Sequence, residues 1–155
     1  MANEIPENID RFNRLVLATL SLLYKHFPKR IDIDAHVLGV TASGDNFEDG
    51  EDGHHRAFTW MGAADDTITW LAEEGFIRTD GLTTDRKHIQ VVLTGKGLRT
   101  MGHVPQSVKE NPEHASIGTL ASKTLKSGAK EVISDVVKEI ISLGAKIVMT
   151  QSGLS

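Results

Sequence analysis

Two adjacent histidines beside a run of carboxylates are the residues in this chain best suited to metal chemistry. His54 and His55 follow Asp49, Glu51 and Asp52, and imidazole combined with carboxylate oxygen suits zinc and other divalent ions. Adjacent histidines in a glycine-rich, acidic stretch are, however, more often simply exposed to solvent. We therefore predict no metal site at these residues.

The remaining chemistry-bearing residues match no catalytic or cofactor motif. A calcium loop is disfavoured because Phe47 occupies a position that should offer oxygen, and Arg56 stands where the closing glutamate belongs. The sequence has no Gly-x-Ser-x-Gly elbow and no phosphate-binding Gly-x-x-x-x-Gly-Lys loop. Its seven histidines include no pair spaced for one helix face. We predict a protein that is not an enzyme and uses no cofactor.

The composition favours one soluble domain with an appendage. The chain has 155 residues, is 39% hydrophobic and lacks cysteine, so it can bury a core without disulfides and fits a reducing compartment. Its first ten residues are polar and acidic, unlike a signal peptide. The apolar stretches are interrupted before the roughly 20 residues that a membrane helix needs. We expect a cytoplasmic protein without a transmembrane segment.

The acidity of the chain is concentrated in one stretch. The net charge is -4, and without the five acidic residues between positions 45 and 52 it would be +1. The stretch is also rich in glycine and has no apolar periodicity. We predict an acidic, flexible loop insertion over residues 41–53.

Apolar spacing predicts the order of elements in the first two thirds of the chain. The first helix has a stripe of residues three and four apart, namely Phe12, Val16, Leu20, Leu23 and Phe27. A short helix over residues 35–38 follows, capped by Asp34, and then a helix over residues 57–71, which Gly62 could divide. Strand-like runs at 76–79 and 89–93 predict a two-stranded hairpin, followed by a short helix over 96–101.

This order, together with two segments, resembles the winged helix-turn-helix superfamily. Residues 67–78, TITWLAEEGFIR, are similar to the end of a recognition helix and the first wing strand of small bacterial winged-helix regulators. Residues 93–98, LTGKGL, are similar to the turn that leaves the second wing strand. The resemblance covers about residues 9–101. It implies a mainly α fold with a small β-hairpin, a winged-helix domain over residues 1–104.

Carried over to function, the resemblance implies contact with double-stranded DNA. It places Thr67, Thr69 and Trp70 near a DNA groove, and Arg86 and Lys87 at the wing tip against phosphates.

The charges of the expected recognition helix fit DNA poorly. Arg56 and Arg78 could extend a phosphate-contacting patch, but Asp65 and Asp66 stand where the helix should meet DNA. A helix that presents carboxylates repels phosphates unless they face away. The sequence therefore leaves two readings open for the winged helix, a DNA reader and a protein docking module.

For the end of the chain, residues 105–155, the sequence predicts a linker and an oligomerisation helix. Asn111 followed by Pro112 is a good helix start, and we predict one long amphipathic helix over residues 113–149. We expect its apolar stripe to pair with a second copy of the chain. The predicted dimer interface is formed by Leu125, Val132, Val136, Ile140, Leu143 and Ile147.

Three functions follow as expectations. The first is a bacterial, homodimeric winged-helix regulator of transcription that binds DNA, and the second is a winged-helix docking module for another protein without DNA binding. The third places the lysine-edged last helix on a membrane surface. That helix has no Trp, Tyr or Phe to anchor it, which makes the membrane the weakest of the three.

Overall fold

The structure, a computed structural model, describes residues 4–104 and 115–153 and is mainly helical with one small antiparallel sheet. The α+β class predicted from the sequence is confirmed. Among these residues no helix is long and apolar enough to cross a membrane. The elements in chain order are α1 (Glu7–His26), β1 (Ile31–Asp34), α2 (Ala35–Ser43), α3 (Gly50–Glu73), β2 (Ile77–Arg78), β3 (Lys87–Leu93), α4 (Gly95–Gly102), α5 (Ile117–Ser127) and α6 (Lys130–Gly153).

Helix α1 is the centre of the hydrophobic core. Leu15, Val16, Leu17 and Leu20 are all 0% exposed, because α2, α3, α5 and α6 pack around this one helix. The predicted helix is confirmed, and its buried surface is wider than the predicted stripe. A helix covered on most sides buries apolar residues at successive positions rather than along one face.

The sheet has three strands, in the order β1-β3-β2. The predicted hairpin is confirmed: Ile77 of β2 lies opposite Leu93 of β3. Strand β1 is an addition to the predicted elements, and it pairs with the other edge of β3, with Ile33 opposite His88. Its four residues become a strand only because β3 supplies a partner from a distant part of the chain.

The connection between α2 and α3 is short and folded, which corrects the flexible loop predicted over residues 41–53. Helix α2 continues to Ser43 and α3 already begins at Gly50. Between them Phe47 is only 6% exposed, and its N–H donates a hydrogen bond to the Asp45 carboxylate over 2.9 Å. Helix α3 is also unbroken at Gly62, which does not divide it.

The single long helix predicted over residues 113–149 is instead two helices, α5 and α6. Gly128 ends α5 in the left-handed conformation, with φ 69°, and its N–H donates to the carbonyl of Leu125. Helix α6 then begins at Lys130. A left-handed residue cannot continue a right-handed helix, so the chain changes direction at this glycine. The predicted linker and the helix start at Asn111–Pro112 lie outside the described residues.

The apolar stripe of α6 is buried within the same chain. Ile133, Val137 and Ile140 are at most 1% exposed, because α6 packs against α1 and α4 while α5 packs against α1. A stripe that is already covered does not require a second copy of the chain.

Of the six residues predicted to form a dimer interface, all except Val132 are buried or partly buried within the chain. Ile140 is fully buried, whereas Val132 is 50% exposed. Leu125, Val136 and Leu143 are partly buried and pack on the core. Ile147 is also partly buried. The structure thus removes the observation from which a homodimer was predicted.

Candidate functional site

The exposed side of α3 and the β2–β3 loop, residues 79–86, form a joined surface that we call the α3–hairpin face. Asp65 of α3 connects the two parts. Its Oδ1 lies 2.7 Å from Nε2 of His88, and its Oδ2 lies 2.7 Å from Nη2 of Arg86. Because His88 is only 3% exposed, these contacts fix the start of β3 against the middle of α3. Asp65 therefore positions the loop, and Arg86 offsets its charge.

The β2–β3 loop holds its own charges together. The hydroxyl of Thr83 donates a hydrogen bond to the Asp85 carboxylate, and this bond lowers the pKa of Asp85 below its usual range. Nζ of Lys87 lies 3.8 Å from the same carboxylate. Both residues predicted to contact phosphates at the wing tip, Arg86 and Lys87, thus lie beside carboxylates of their own chain.

Arg56 is engaged in the same way at the start of α3. Its Nε is 2.7 Å from Oδ2 of Asp45, and its Nη2 is 2.9 Å from Oδ2 of Asp49. These hydrogen bonds raise the pKa of Arg56, and the bond from Arg56 is the largest cause that lowers the pKa of Asp45. Arg56 thus connects the acidic α2–α3 segment to α3. Its guanidinium is held by two carboxylates of its own chain and is not free to contact a phosphate, contrary to the prediction.

The three α3 residues predicted to lie near a DNA groove are placed very differently. Thr67 is 3% exposed, so the prediction that it contacts DNA is wrong for this fold. Trp70 is half-buried, with its ring 5.1 Å from Phe12 and 6.4 Å from Phe76 between centroids. Only Thr69 is exposed, and its hydroxyl donates to the backbone carbonyl of Asp65. Thr67 and Trp70 thus belong to the core side of α3, and Thr69 alone of the three faces solvent.

The outward side of α3 carries an unexpected aromatic residue, Phe58, which is 71% exposed. Around the same side the helix presents His55, Thr59, Asp66, Thr69 and Glu73. Phe58 is the most exposed large apolar side chain in the described part of the chain. The sequence does contain a signal for Phe58, because it lies off the buried stripe through Ala57, Ala64 and Ile68.

The segment that carries the α3–hairpin face has an excess of acidic residues. Residues 50–87 contain four Arg and Lys side chains against eight Asp and Glu side chains, a balance of -4. Of the four cations, Arg56, Arg86 and Lys87 have carboxylates within 4 Å. Arg78 is exposed and forms no ion pair with any residue that the structure describes.

The two adjacent histidines lie at the start of α3. His54 and His55 are exposed on the first turns of α3. Over residues 4–104 and 115–153 there is no group of three or more His, Asp or Glu side chains arranged to hold a metal ion.

Comparison of this chain with protein-family models, with curated proteins and with solved structures returned no match.

Proposed function

We propose that this chain is a winged-helix docking module that binds a basic surface of another protein through its α3–hairpin face. The element order α1, β1, α2, α3, β2, β3 supports the winged-helix assignment, as does the addition of β1 to the far edge of the hairpin. Because winged helices bind both nucleic acids and proteins, the chemistry of the exposed face decides which partner fits.

The observation that carries the proposal is the internal pairing of the cations. Affinity for a duplex comes mainly from Lys and Arg side chains that neutralise phosphates. On the α3–hairpin face Arg56 and Arg86 are held at 2.7 Å by Asp45 and Asp65, and the face retains unpaired carboxylates such as Asp66. A negative face repels phosphates and attracts a positively charged protein surface.

Phe58 supplies the apolar part of the proposed contact. It is 71% exposed on the outward side of α3, and aromatic anchors that become buried and are surrounded by polar residues dominate binding energy at protein interfaces. The partner surface expected from this chemistry has an apolar pocket for one aromatic ring, bordered by Lys or Arg side chains.

A DNA-binding regulator is the second candidate, and one observation favours it. Asp65, the carboxylate that stands at the centre of the expected recognition helix, is bound by Arg86 and His88 and so repels phosphates less than its sequence position indicates. The cations available to a duplex would then be Arg78, which has no ion pair among the described residues, and Lys87, whose contact with Asp85 is long at 3.8 Å.

The deciding experiment is binding of random-sequence duplex DNA across a salt series, with Arg78→Ala/Lys87→Ala as the comparison. We expect no binding even at low salt. Affinity that falls with salt, with a shallower slope for the double variant, would instead establish the second candidate.

The docking face can be tested by crosslinking partner proteins to the parent chain and to two variants. Phe58→Ala removes the proposed contact, and the control Val132→Ala removes another exposed apolar side chain, on α6. We expect a protein that the parent chain and Val132→Ala both retain and Phe58→Ala loses. A partner held equally by all three would contradict the proposed face.

A further inference from the structure

A separate groove lies on another side of the molecule, where α1, β1, α2 and α5 meet. Its volume is about 850 Å³, within the roughly 300–1,000 Å³ of sites that hold small organic ligands. We call it the α1–α5 groove. Its apolar lining consists of Ala18, Leu22, Ile33, Val37 and Leu38.

Specific contacts shape the walls of the α1–α5 groove. Gly118 of α5 lies against the ring of Tyr24, so closely that an added Cβ would be 2.3 Å from it. The Tyr24 hydroxyl also accepts a hydrogen bond from Ser116 over 3.3 Å. Val37 of α2 also lines the groove and is 60% exposed, which leaves apolar surface available there. A ligand with an apolar body would cover that surface.

The polar rim of the groove is dominated by two carboxylates. Asp32 and Asp34 of β1 both line the groove. One oxygen of each is used: Asp32 accepts the N–H of Gln90 over 3.0 Å, and Asp34 accepts two N–H groups at the start of α2. The other oxygen of each makes no hydrogen bond within the described part of the chain.

One cation, Lys25, also lines the groove. It forms no ion pair with either aspartate among the described residues, so both carboxylates keep their charge available. With two negative groups against one positive group, the rim favours a positively charged ligand.

We propose that the α1–α5 groove binds an amphipathic organic cation, a small molecule with an apolar ring system and an amine or quaternary ammonium head. The apolar body lies against Val37 and Leu22, and the head lies at Asp32 and Asp34. This site is independent of the α3–hairpin face, and its test needs no protein partner.

The test uses two probes of the same shape and opposite charge, tetraphenylphosphonium and tetraphenylborate, titrated calorimetrically into the full chain in sodium buffer. Two exposed ion pairs predict about tenfold tighter binding of the cation. In Asp32→Asn/Asp34→Asn that preference disappears, while asparagine preserves the helix cap and the backbone hydrogen bonds. The matched control, Asp66→Asn/Asp80→Asn, removes the same charge elsewhere and keeps the preference.

A second pair of variants tests the location. Val37→Trp fills the groove and is expected to reduce cation binding at least about tenfold, since it removes most of the apolar contact. Val132→Trp adds the same side chain to an exposed position on α6 and should leave binding unchanged. Absence of cation binding, equal binding of the two probes, or equal loss in both tryptophan variants would each overturn the proposal.

Discussion

One ion-pair cluster around Arg56 explains why the acidic stretch is folded. The sequence from Asp45 to Asp52 predicts a solvated loop. In the fold, Arg56 reaches back from α3 to Asp45 and Asp49, and Phe47 enters the core beneath them. Spacings of seven and eleven residues carry no signal for such contacts, because the path of the connection decides which carboxylates the arginine meets.

Asp45→Asn is expected to lower the denaturation midpoint at neutral pH, because it weakens the bond to Arg56. The pKa of Asp45 in the folded chain lies below its ordinary value of 3.8. A carboxyl group of this kind stabilises the fold fully above pH 3.8 and loses that contribution as the pH falls through the folded-state pKa. The gap between parent and variant should therefore close in acid, as urea unfolding at neutral pH and near pH 2 would measure.

Asp66→Asn is the control for this substitution, since Asp66 is exposed on α3 and has no partner among the described residues. It should leave the midpoint nearly unchanged at both pH values. If the difference in denaturation midpoint between the parent and Asp45→Asn widened in acid, the ionised Asp45 carboxylate would not be the stabilising form.

At the scale of elements, periodicity predicted α1, most of α3 and the hairpin because each has its own apolar pattern. Periodicity did not predict strand β1, because its four residues, Ile-Asp-Ile-Asp, gain a partner only when β3 is folded beside them. Periodicity also did not predict the end of α5. Gly128 lies in a helical pattern on both sides, and only its left-handed φ separates the two helices.

Gly128→Ala tests the break between α5 and α6, because the direction in which it changes the free energy of unfolding differs between a broken and a continuous helix. At a left-handed position alanine costs about 1 kcal/mol, whereas in a continuous helix it would add up to about 1 kcal/mol of stability. We expect destabilisation of about 1 kcal/mol in chemical unfolding.

Gly62→Ala provides the matched comparison, because Gly62 lies inside the unbroken α3 with no atom within 4 Å of an added Cβ. It should stabilise the protein by about 0.5–1 kcal/mol. If both alanines stabilised the chain, α5 and α6 would form one helix as the sequence predicted.

At the scale of the whole molecule, the question that the sequence left open is what covers the last apolar stripe. An amphipathic helix reads the same whether it packs on its own chain or on a second copy. The fold answers through α1, which is surrounded on nearly all sides, with α5 and α6 supplying part of that cover. The site was less predictable than the fold, because whether Arg56 or Arg86 is free depends on carboxylates that only the tertiary structure brings close.

Ile140→Ala separates an intramolecular core residue from an interface residue. Ile140 is 0% exposed, so its truncation should cost about 2–5 kcal/mol through lost burial and the cavity left behind. Because the contact is made within one chain, the unfolding midpoint of parent and variant should not depend on protein concentration. Its neighbour Ile141 is 37% exposed, and Ile141→Ala should cost less than about 1 kcal/mol. A midpoint that rises with concentration in the parent and loses that dependence in Ile140→Ala would show that folding is coupled to association and that the stripe also serves a second copy of the chain.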